Sequence, residues 1–389
     1  MDRQRHVVFE IPSIPEGAPP RGAGPVAVDS PPKAELRVEE LSPAEVAEAR
    51  SRPNIVTAIP MRTKLIAPVA SDGQPTAATQ VAWGIDAVGA LTSPFTGAGI
   101  KVAVLDTGID ASHPAFSGVN ITEMDFTGEG NGDSHGHGTH CAGTILGRDV
   151  NGVRIGVAPG VGELLVGKVL GADGGTTEML VKGIMWALDN GASVISMSIG
   201  MDFPGQVAFL IQQGFAAEAA TSFALKGYRD NVDLFESVAK FLDDFAPFGK
   251  SAVIIAASGN ESERTRPNPY TIDVSPPAVA DGIVSVGAVG QAGGGLDIAP
   301  FSNTGAKLVG PGVNVVSAGL GGGLVAMSGT SMATPHVAGV AALWAEQRLS
   351  TTGELNTAEL ASFLIGRTQQ IPNLAPIDAG AGLVQAPQL

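Results

Sequence analysis

From Ala87 onward the chain alternates short apolar runs with amphipathic stretches. Val102-Ala103-Val104-Leu105, Leu164-Leu165-Val166, Val194-Ile195-Ser196-Met197, Ala252-Val253-Ile254-Ile255 and Ile283-Val284-Ser285-Val286 are continuous and rich in β-branched residues. Runs of this kind predict strands buried on both faces. Thr177 to Asn190 and Pro335 to Leu349 instead space their apolar residues three and four apart among helix formers, which predicts helices. Strands alternating with helices define a doubly wound α/β fold, a mostly parallel sheet with helices on both faces. In that architecture ligands gather outside the carboxyl ends of the strands.

The first ~75 residues follow another pattern, that of a small α/β unit. An apolar segment from His6 to Ile11 leads into a Pro/Gly-rich stretch, Pro12 to Pro32, expected to be irregular. Glu35 to Glu40 then predicts a strand, and Ser42-Pro43-Ala44-Glu45 a capped helix start, with Pro in the first turn and Glu three residues after the cap. Ile55-Val56 resumes an extended run, and Ala70 to Thr79, poor in large apolar residues, predicts an exposed linker. The expected division is therefore residues 1–75 and 76–389. Within the second part, Gly200 to Asn260 carries two helical patterns, Phe209 to Leu225 and Leu234 to Phe245, expected to belong to an insertion at about 205–248.

Composition narrows the function. With 44% hydrophobic and 16% charged positions in 389 residues, the chain supports a large core, and its formal net charge of −15 argues against binding nucleic acid. No apolar run is long enough to span a membrane. The opening Met1-Asp2-Arg3-Gln4-Arg5-His6 has no apolar core behind it, so no secretory signal is expected. That tilts the expected compartment toward the cytoplasm, with a secreted protein trimmed of its signal as the alternative. One cysteine, Cys141, excludes an intramolecular disulfide framework.

Three segments carry candidate chemistry. An apolar strand delivers Asp106 at its end, followed by Thr107-Gly108; taken alone, such an acid also suits a cap or a turn. His135-Gly136-His137-Gly138-Thr139-His140-Cys141 could hold a metal, could present Cys141 as a nucleophile, or could place a histidine base at a helix start. Ser328-Gly329-Thr330-Ser331-Met332-Ala333-Thr334-Pro335-His336 puts a serine where a helix begins, a position that suits capping and equally suits catalysis, because unpaired backbone N–H groups there can face an oxyanion. Together they specify more than any one does. A serine hydroxyl needs an imidazole to take its proton, and the imidazole needs a carboxylate to orient it.

These motifs, in the chain order Asp, His, Ser, resemble those of the subtilase family, to which subtilisin, thermitase and proteinase K belong. The resemblance covers about Val81 to Ala386. It implies that the chain is a serine endopeptidase acting on peptide or protein substrates, with Ser331 as nucleophile, His137 as general base and Asp106 as orienting acid, and His113, His135, His140 and His336 as neighbours. Ala256-Ala257-Ser258-Gly259-Asn260-Glu261 resembles the family segment whose asparagine completes the oxyanion hole, which makes Asn260 the expected donor. By the same resemblance Gly174-Gly175 and Ser198-Ile199-Gly200 are edges that pair with an extended peptide. Ile199, Ala257, Ser258 and Gly259 would line the first specificity pocket.

Other expectations follow from the match and its departures. The chemistry needs no cofactor. Family members often bind calcium through a loop matching Arg148 to Arg154 and an aspartate matching Ala115; here Ala115 supplies no carboxylate, so a structural calcium would need another arrangement, using Asp149 or Asn151. The connection from Gly200 to Asn260 exceeds what the family needs, which suggests a lid or wall restricting access. Residues 1–75 resemble the propeptides that assist folding and then occupy the cleft, with release expected near Ala70 to Gln80. Two alternatives stand beside the endopeptidase: a catalytically silent peptide-binding protein of the same fold, and a peptidase that processes a narrow set of substrates.

Overall fold

The computed structural model describes residues 3–14, 33–69, 80–248 and 251–388. The five strands predicted in the main body all belong to one eight-stranded sheet, which adds three more. Its order runs Gly295–Ile298, Ile283–Ala292, Val253–Ala257, Val194–Met197, Lys101–Asp106, Glu163–Lys168 and Asn120–Asp125, with Leu308–Pro311 also on Ile283–Ala292. Every pairing is parallel except that of Gly295–Ile298. Chain order reverses beside Lys101–Asp106, whose next strand lies on one side and Val194–Met197 on the other. Asp106 therefore ends a strand at a topological switch point, where such sheets open a crevice.

Strand pleat splits the core in two, because successive residues point to opposite faces. Val102, Val104, Leu164, Val166, Val194 and Ile255 pack against the helices His137–Leu146 and Thr330–Thr352. Ala103, Leu105, Leu165, Ile195, Met197 and Ile254 face the other way, toward Thr177–Asp189 and Ala217–Asp244. No helix among the described residues is long and apolar enough to cross a membrane.

The N-terminal unit is an antiparallel sheet of order Glu35–Leu41, Gln4–Glu10, Ile55–Ala58 beside the helix Pro43–Arg50. Ser42 caps that helix as expected: its hydroxyl accepts from the Glu45 N–H, and the Glu45 carboxylate accepts from the Ser42 N–H at 2.7 Å. One face of this sheet covers a satellite core of Val8, Leu41 and Ile55. The other sends Val7 and Phe9 into the main core, where Phe9 meets Phe241 edge to face at 6.1 Å. The expected linker Ala70 to Thr79 and all but the start of the Pro/Gly-rich stretch lie outside the described residues.

The region expected to be an insertion departs from its predicted helices. In place of one helix over Phe209 to Leu225, a helix Phe203–Gln212 ends in a turn containing Gly214 (φ 91°), and a second helix runs unbroken from Ala217 to Asp244. The first is capped by Asp202, which accepts from the Gly205 N–H. The second absorbs the expected Leu234 to Phe245 helix as its buried end.

Candidate active site

Asp106 and His137 meet because two backbones approach closely. A Cβ on Gly138 would lie 2.2 Å from the Gly108 carbonyl, so only glycine lets the histidine helix rest against the turn after the strand. Gly136, at φ 92°, turns the chain into that helix and leaves His137 as its first residue. The fully buried Asp106 carboxylate accepts from its neighbour's backbone N–H and from His137 Nδ1, both at 2.8 Å. This bond fixes the imidazole tautomer and aims Nε2 away from the acid. Burial, the largest single influence, opposes charge on His137, but the raising influences together, led by the Asp106 carboxylate, hold the pKa well above the usual value of 6.5.

Asp133, which the sequence reading overlooked, locks this arrangement. It accepts from the Thr107 hydroxyl, from the N–H groups of His135, Gly136 and Thr139, and from the Thr139 hydroxyl. Strand end and helix start are thus tied through one carboxylate. Burial disfavours its charge, yet these donors keep its pKa below the ordinary range. An acid three residues before the glycine that opens a helix was the available signal.

Ser331, also fully buried, is the second residue of the helix Thr330–Thr352. Pro335 has no N–H to return to the Ser331 carbonyl, which accepts instead from the Ser198 hydroxyl at 3.1 Å. Ser198 was expected at a peptide-binding edge; its side chain props the serine turn. Asn260 stands beside this helix start. Its Oδ1 accepts from the Thr330 N–H and hydroxyl, at 2.9 and 2.8 Å, which orients Nδ2 into the cleft. Gly329 makes room, since a Cβ there would sit 2.9 Å from Nδ2.

The cleft holds the chain's own residues 62–69. Arg62–Leu65 is a strand between the two expected edges, antiparallel to both: Thr63 lies opposite Gly175, and Lys64 and Leu65 opposite Gly200 and Ile199. Gly174 permits the approach, because a Cβ would come within 2.6 Å of the Thr63 carbonyl. The Ser331 hydroxyl donates to the Ile66 carbonyl at 3.0 Å, Asn260 Nδ2 donates to the Ala67 carbonyl at 3.0 Å, and the Val69 N–H donates to the Ser328 carbonyl at 2.7 Å. Ser258 and Gly259 bond the neighbouring strand and Thr330 beneath Asn260, at the buried end of the strand that contains Ala257.

The remaining candidates fall into supporting places. His140 and His336 are buried and bonded to backbone carbonyls, with pKa values pushed by burial down to about 3 and about 4. His113 binds the Gly323 carbonyl, and the exposed His135 ring lies 6.3 Å from that of His137. Cys141 Sγ is 3.8 Å from His137 Nδ1, but burial raises its thiol pKa, so the proton stays on sulfur. Asp106, His137 and Cys141 are close enough together for a metal, yet Nδ1 is already committed to Asp106. In the loop considered for calcium, the Ala115 carbonyl accepts from the Arg148 N–H. The Arg148 guanidinium donates to the Leu146 and Val161 carbonyls at 2.8 and 3.0 Å, and Asn151 is a turn residue at φ 53°. Ala115 brings no side-chain oxygen there and its carbonyl is already engaged by the Arg148 N–H, so the set considered is short of the oxygen ligands Ca²⁺ requires.

A serine at a helix start, an imidazole bonded to a strand-end carboxylate, and a side-chain amide aimed at a peptide carbonyl are the parts of an α/β serine hydrolase. Comparison with known proteins narrows that class: the family model described as "Subtilase family" matches residues 97–372. The chain is 34% identical over 298 residues to an intracellular serine protease of Paenibacillus polymyxa, covering 74% of this chain and 79% of the relative. It is 33% identical over 299 residues to the major intracellular serine protease of Bacillus subtilis (strain 168), covering 74% and 81%. To Subtilisin BL of Lederbergia lenta it is 37% identical over 275 residues, covering 68% and 84%. The chain belongs to the subtilase family, serine proteases that hydrolyse peptide bonds.

Proposed function

We propose that the chain is an endopeptidase working through an acyl-enzyme, with Ser331, His137, Asp106 and Asn260 in the roles the resemblance implies. The observation that carries this is the 2.8 Å bond from His137 Nδ1 to Asp106, which leaves Nε2 as the free nitrogen of a fixed tautomer. In the reaction Ser331 Oγ bonds to the substrate's carbonyl carbon and its proton passes to His137 Nε2. Asn260 Nδ2 and helix-start N–H groups stabilise the oxyanion. The imidazolium then protonates the leaving amine as the C–N bond breaks, and water repeats the sequence on the ester.

Residues 1–75 act in this reading as an inhibitor docked on the enzyme. The support is how the cleft groups are engaged: Ser331 binds one carbonyl oxygen, that of Ile66, while Asn260 binds the next, that of Ala67. Attack needs the nucleophile over a carbonyl carbon whose oxygen faces the donor, so the segment sits out of reactive register. Release near Ala70 to Gln80 concerns a stretch outside the described residues, Gln80 excepted. The insertion serves as a wall at the upstream end of the cleft, where the Arg62 guanidinium lies 5.0 Å over the Phe209 ring. The relatives named as intracellular favour a cytoplasmic setting.

Reaction with a serine-directed fluorophosphonate, read by peptide mass spectrometry, tests the assignment. Ser331 labels slowly in the full chain and faster once limited proteolysis removes the N-terminal unit; Ser331→Ala abolishes labelling. No labelling in either form would favour the silent peptide-binding protein.

A further inference from the structure

Lys64 is the one side chain of the cleft segment that reaches two carboxylates. Its ammonium lies 3.2 Å from Asp202 Oδ1 and 3.7 Å from Glu261 Oε1. Both acids are held by the enzyme body without help from Lys64. Asp202 follows the edge strand Ile199–Met201 and caps the inserted helix through the Gly205 N–H. Glu261, next to Asn260, accepts from Asn303 Nδ2 at 2.8 Å, and Asn303 Oδ1 in turn accepts from the Glu261 and Ser262 N–H groups. Two preset negative charges thus flank a backbone position defined by the pairing of Lys64 with Gly200. Among the described residues, Lys64 is the cation with which they form ion pairs.

We propose that Asp202 and Glu261 form a specificity subsite that selects a lysine or arginine in the substrate, two residues before the residue whose carbonyl meets Ser331. This deepens the reading of residues 62–66 as a substrate-like occupant and rests on it. The chemistry is charge pairing at a water-accessible edge. With Lys64, Asp202 and Glu261 at 39, 35 and 38% side-chain exposure, each contact is individually modest and screened by salt. An acidic residue at that position would replace two attractions with two repulsions, so discrimination between Lys and Glu exceeds what either pair alone supplies. A subsite of this kind makes the enzyme narrower than the small apolar residues of the first pocket suggest. Arg62 does not share the role, because its guanidinium lies on Phe209.

Two measurements on the full chain test this. In the first, the rate of fluorophosphonate labelling of Ser331 reports how firmly the segment holds the cleft. Lys64→Glu should accelerate labelling about tenfold, Lys64→Met by less, and combining Lys64→Glu with Asp202→Lys should restore the slow rate. In the second, quenched peptides differing only as Lys, norleucine or Glu two residues before the cleaved bond's acyl residue are compared on the incubated chain. kcat/KM should favour Lys over Glu by about tenfold at low salt. The ratio should shrink at high salt and approach unity in the Asp202→Asn, Glu261→Gln double variant, where Asn still caps the helix. Equal rates for Lys and Glu in the wild type, or a ratio that survives the double variant, would overturn the subsite while Ser331 labelling left the peptidase reading intact. Loss of labelling itself would sink both.

Discussion

The two faces of the central sheet are built alike and used differently. Each packs two long helices on the alternating side chains of the same strands. On one face the helices His137–Leu146 and Thr330–Thr352 bring their first turns to the carboxyl ends of the strands and present His137 and Ser331 there. On the other face, Thr177–Asp189 and Ala217–Asp244 present side chains that receive the N-terminal unit. Buried polar groups follow the same division. Around His137 they orient reacting atoms, whereas Asn231, fully buried on the second face, donates to the Ile59 carbonyl and accepts from the Thr177 hydroxyl, joining helix, enzyme body and incoming strand. The candidate catalytic groups and the side chains that receive the N-terminal unit thus lie on opposite sides of one sheet, and residues 62–69 join the two.

The largest effects should come from the chemical face. Asp106→Asn leaves a neutral partner and the wrong imidazole tautomer; the same change in a serine protease triad costs about 10⁴ in kcat. The pH profile separates this from mere damage. With His137 as the neutral base of the proposed mechanism, kcat/KM should rise with pH through its pKa, and the carboxylate should set that limb above pH 6.5. Asp106→Asn should move the limb to lower pH, since burial alone depresses an imidazole. A limb that stays in place would show that Asp106 does not govern the base. Asn260→Ala should cost about 10²–10³ in kcat, the magnitude found on removing such a donor from a subtilisin.

On the docking face, Asn231→Ala leaves the Ile59 carbonyl and the Thr177 hydroxyl each short of a partner. A penalty of about 1–3 kcal/mol is expected for such a loss, enough to speed release of the N-terminal unit roughly tenfold or more. Release followed by Ser331 labelling should rise while kcat of the released enzyme stays the same. A fall in kcat instead would mean that the two faces are coupled through the sheet.

Acid should weaken the chemical face. His336 and His140 are held neutral by burial, with folded pKa values of about 4 and about 3 against 6.5 when unfolded. Their contribution to stability is therefore complete above pH 6.5 and is lost as pH falls toward those values, on the order of 3 kcal/mol for His336. His137 has the opposite sign: its raised pKa favours the fold below pH 6.5, and that benefit disappears as pH rises through the folded value. Thermal unfolding scanned from pH 8 to pH 4 should show Tm falling at the acid end. His336→Gln should start lower and fall less, and a parallel decline would assign the loss elsewhere.

The chemical face was far more legible in the sequence than the docking face. A strand buried on both sides, such as Val253–Ala257, must be continuously apolar, and Asp106, His137 and Ser331 follow directly on strand ends or helix starts. Arg62–Leu65 gave no such signal. It is mostly polar, Arg-Thr-Lys-Leu, because its partners are backbone edges, Gly175–Thr176 and Ile199–Met201, more than a hundred residues away. Periodicity also ran past the turn at Gly214, because the residues around it are good helix formers and one glycine is a weak stop. Asp133 escaped notice because its importance lies in five donors gathered by the fold.

The smallest expected effect concerns the loop beneath the chemical face. A carbonyl-lined loop can be closed by a divalent cation or by a side-chain cation, and here the Arg148 guanidinium spans the Leu146 and Val161 carbonyls. Arg154 adds bonds to the Ala90, Gly156 and Val157 carbonyls. A guanidinium cannot be chelated and keeps its charge at any working pH. Adding EDTA should therefore leave Tm within about 1 °C, which for a chain of this length corresponds to roughly 1 kcal/mol or less. Arg148→Met keeps an apolar stem but strands both carbonyls, and should lower Tm by several degrees. If Arg148→Met instead gained stability on addition of Ca²⁺, the loop would retain a latent metal geometry that the guanidinium has displaced. A large drop of wild-type Tm in EDTA would contradict the assignment and point to a cation held elsewhere, for which Asp149 would be the first residue to test.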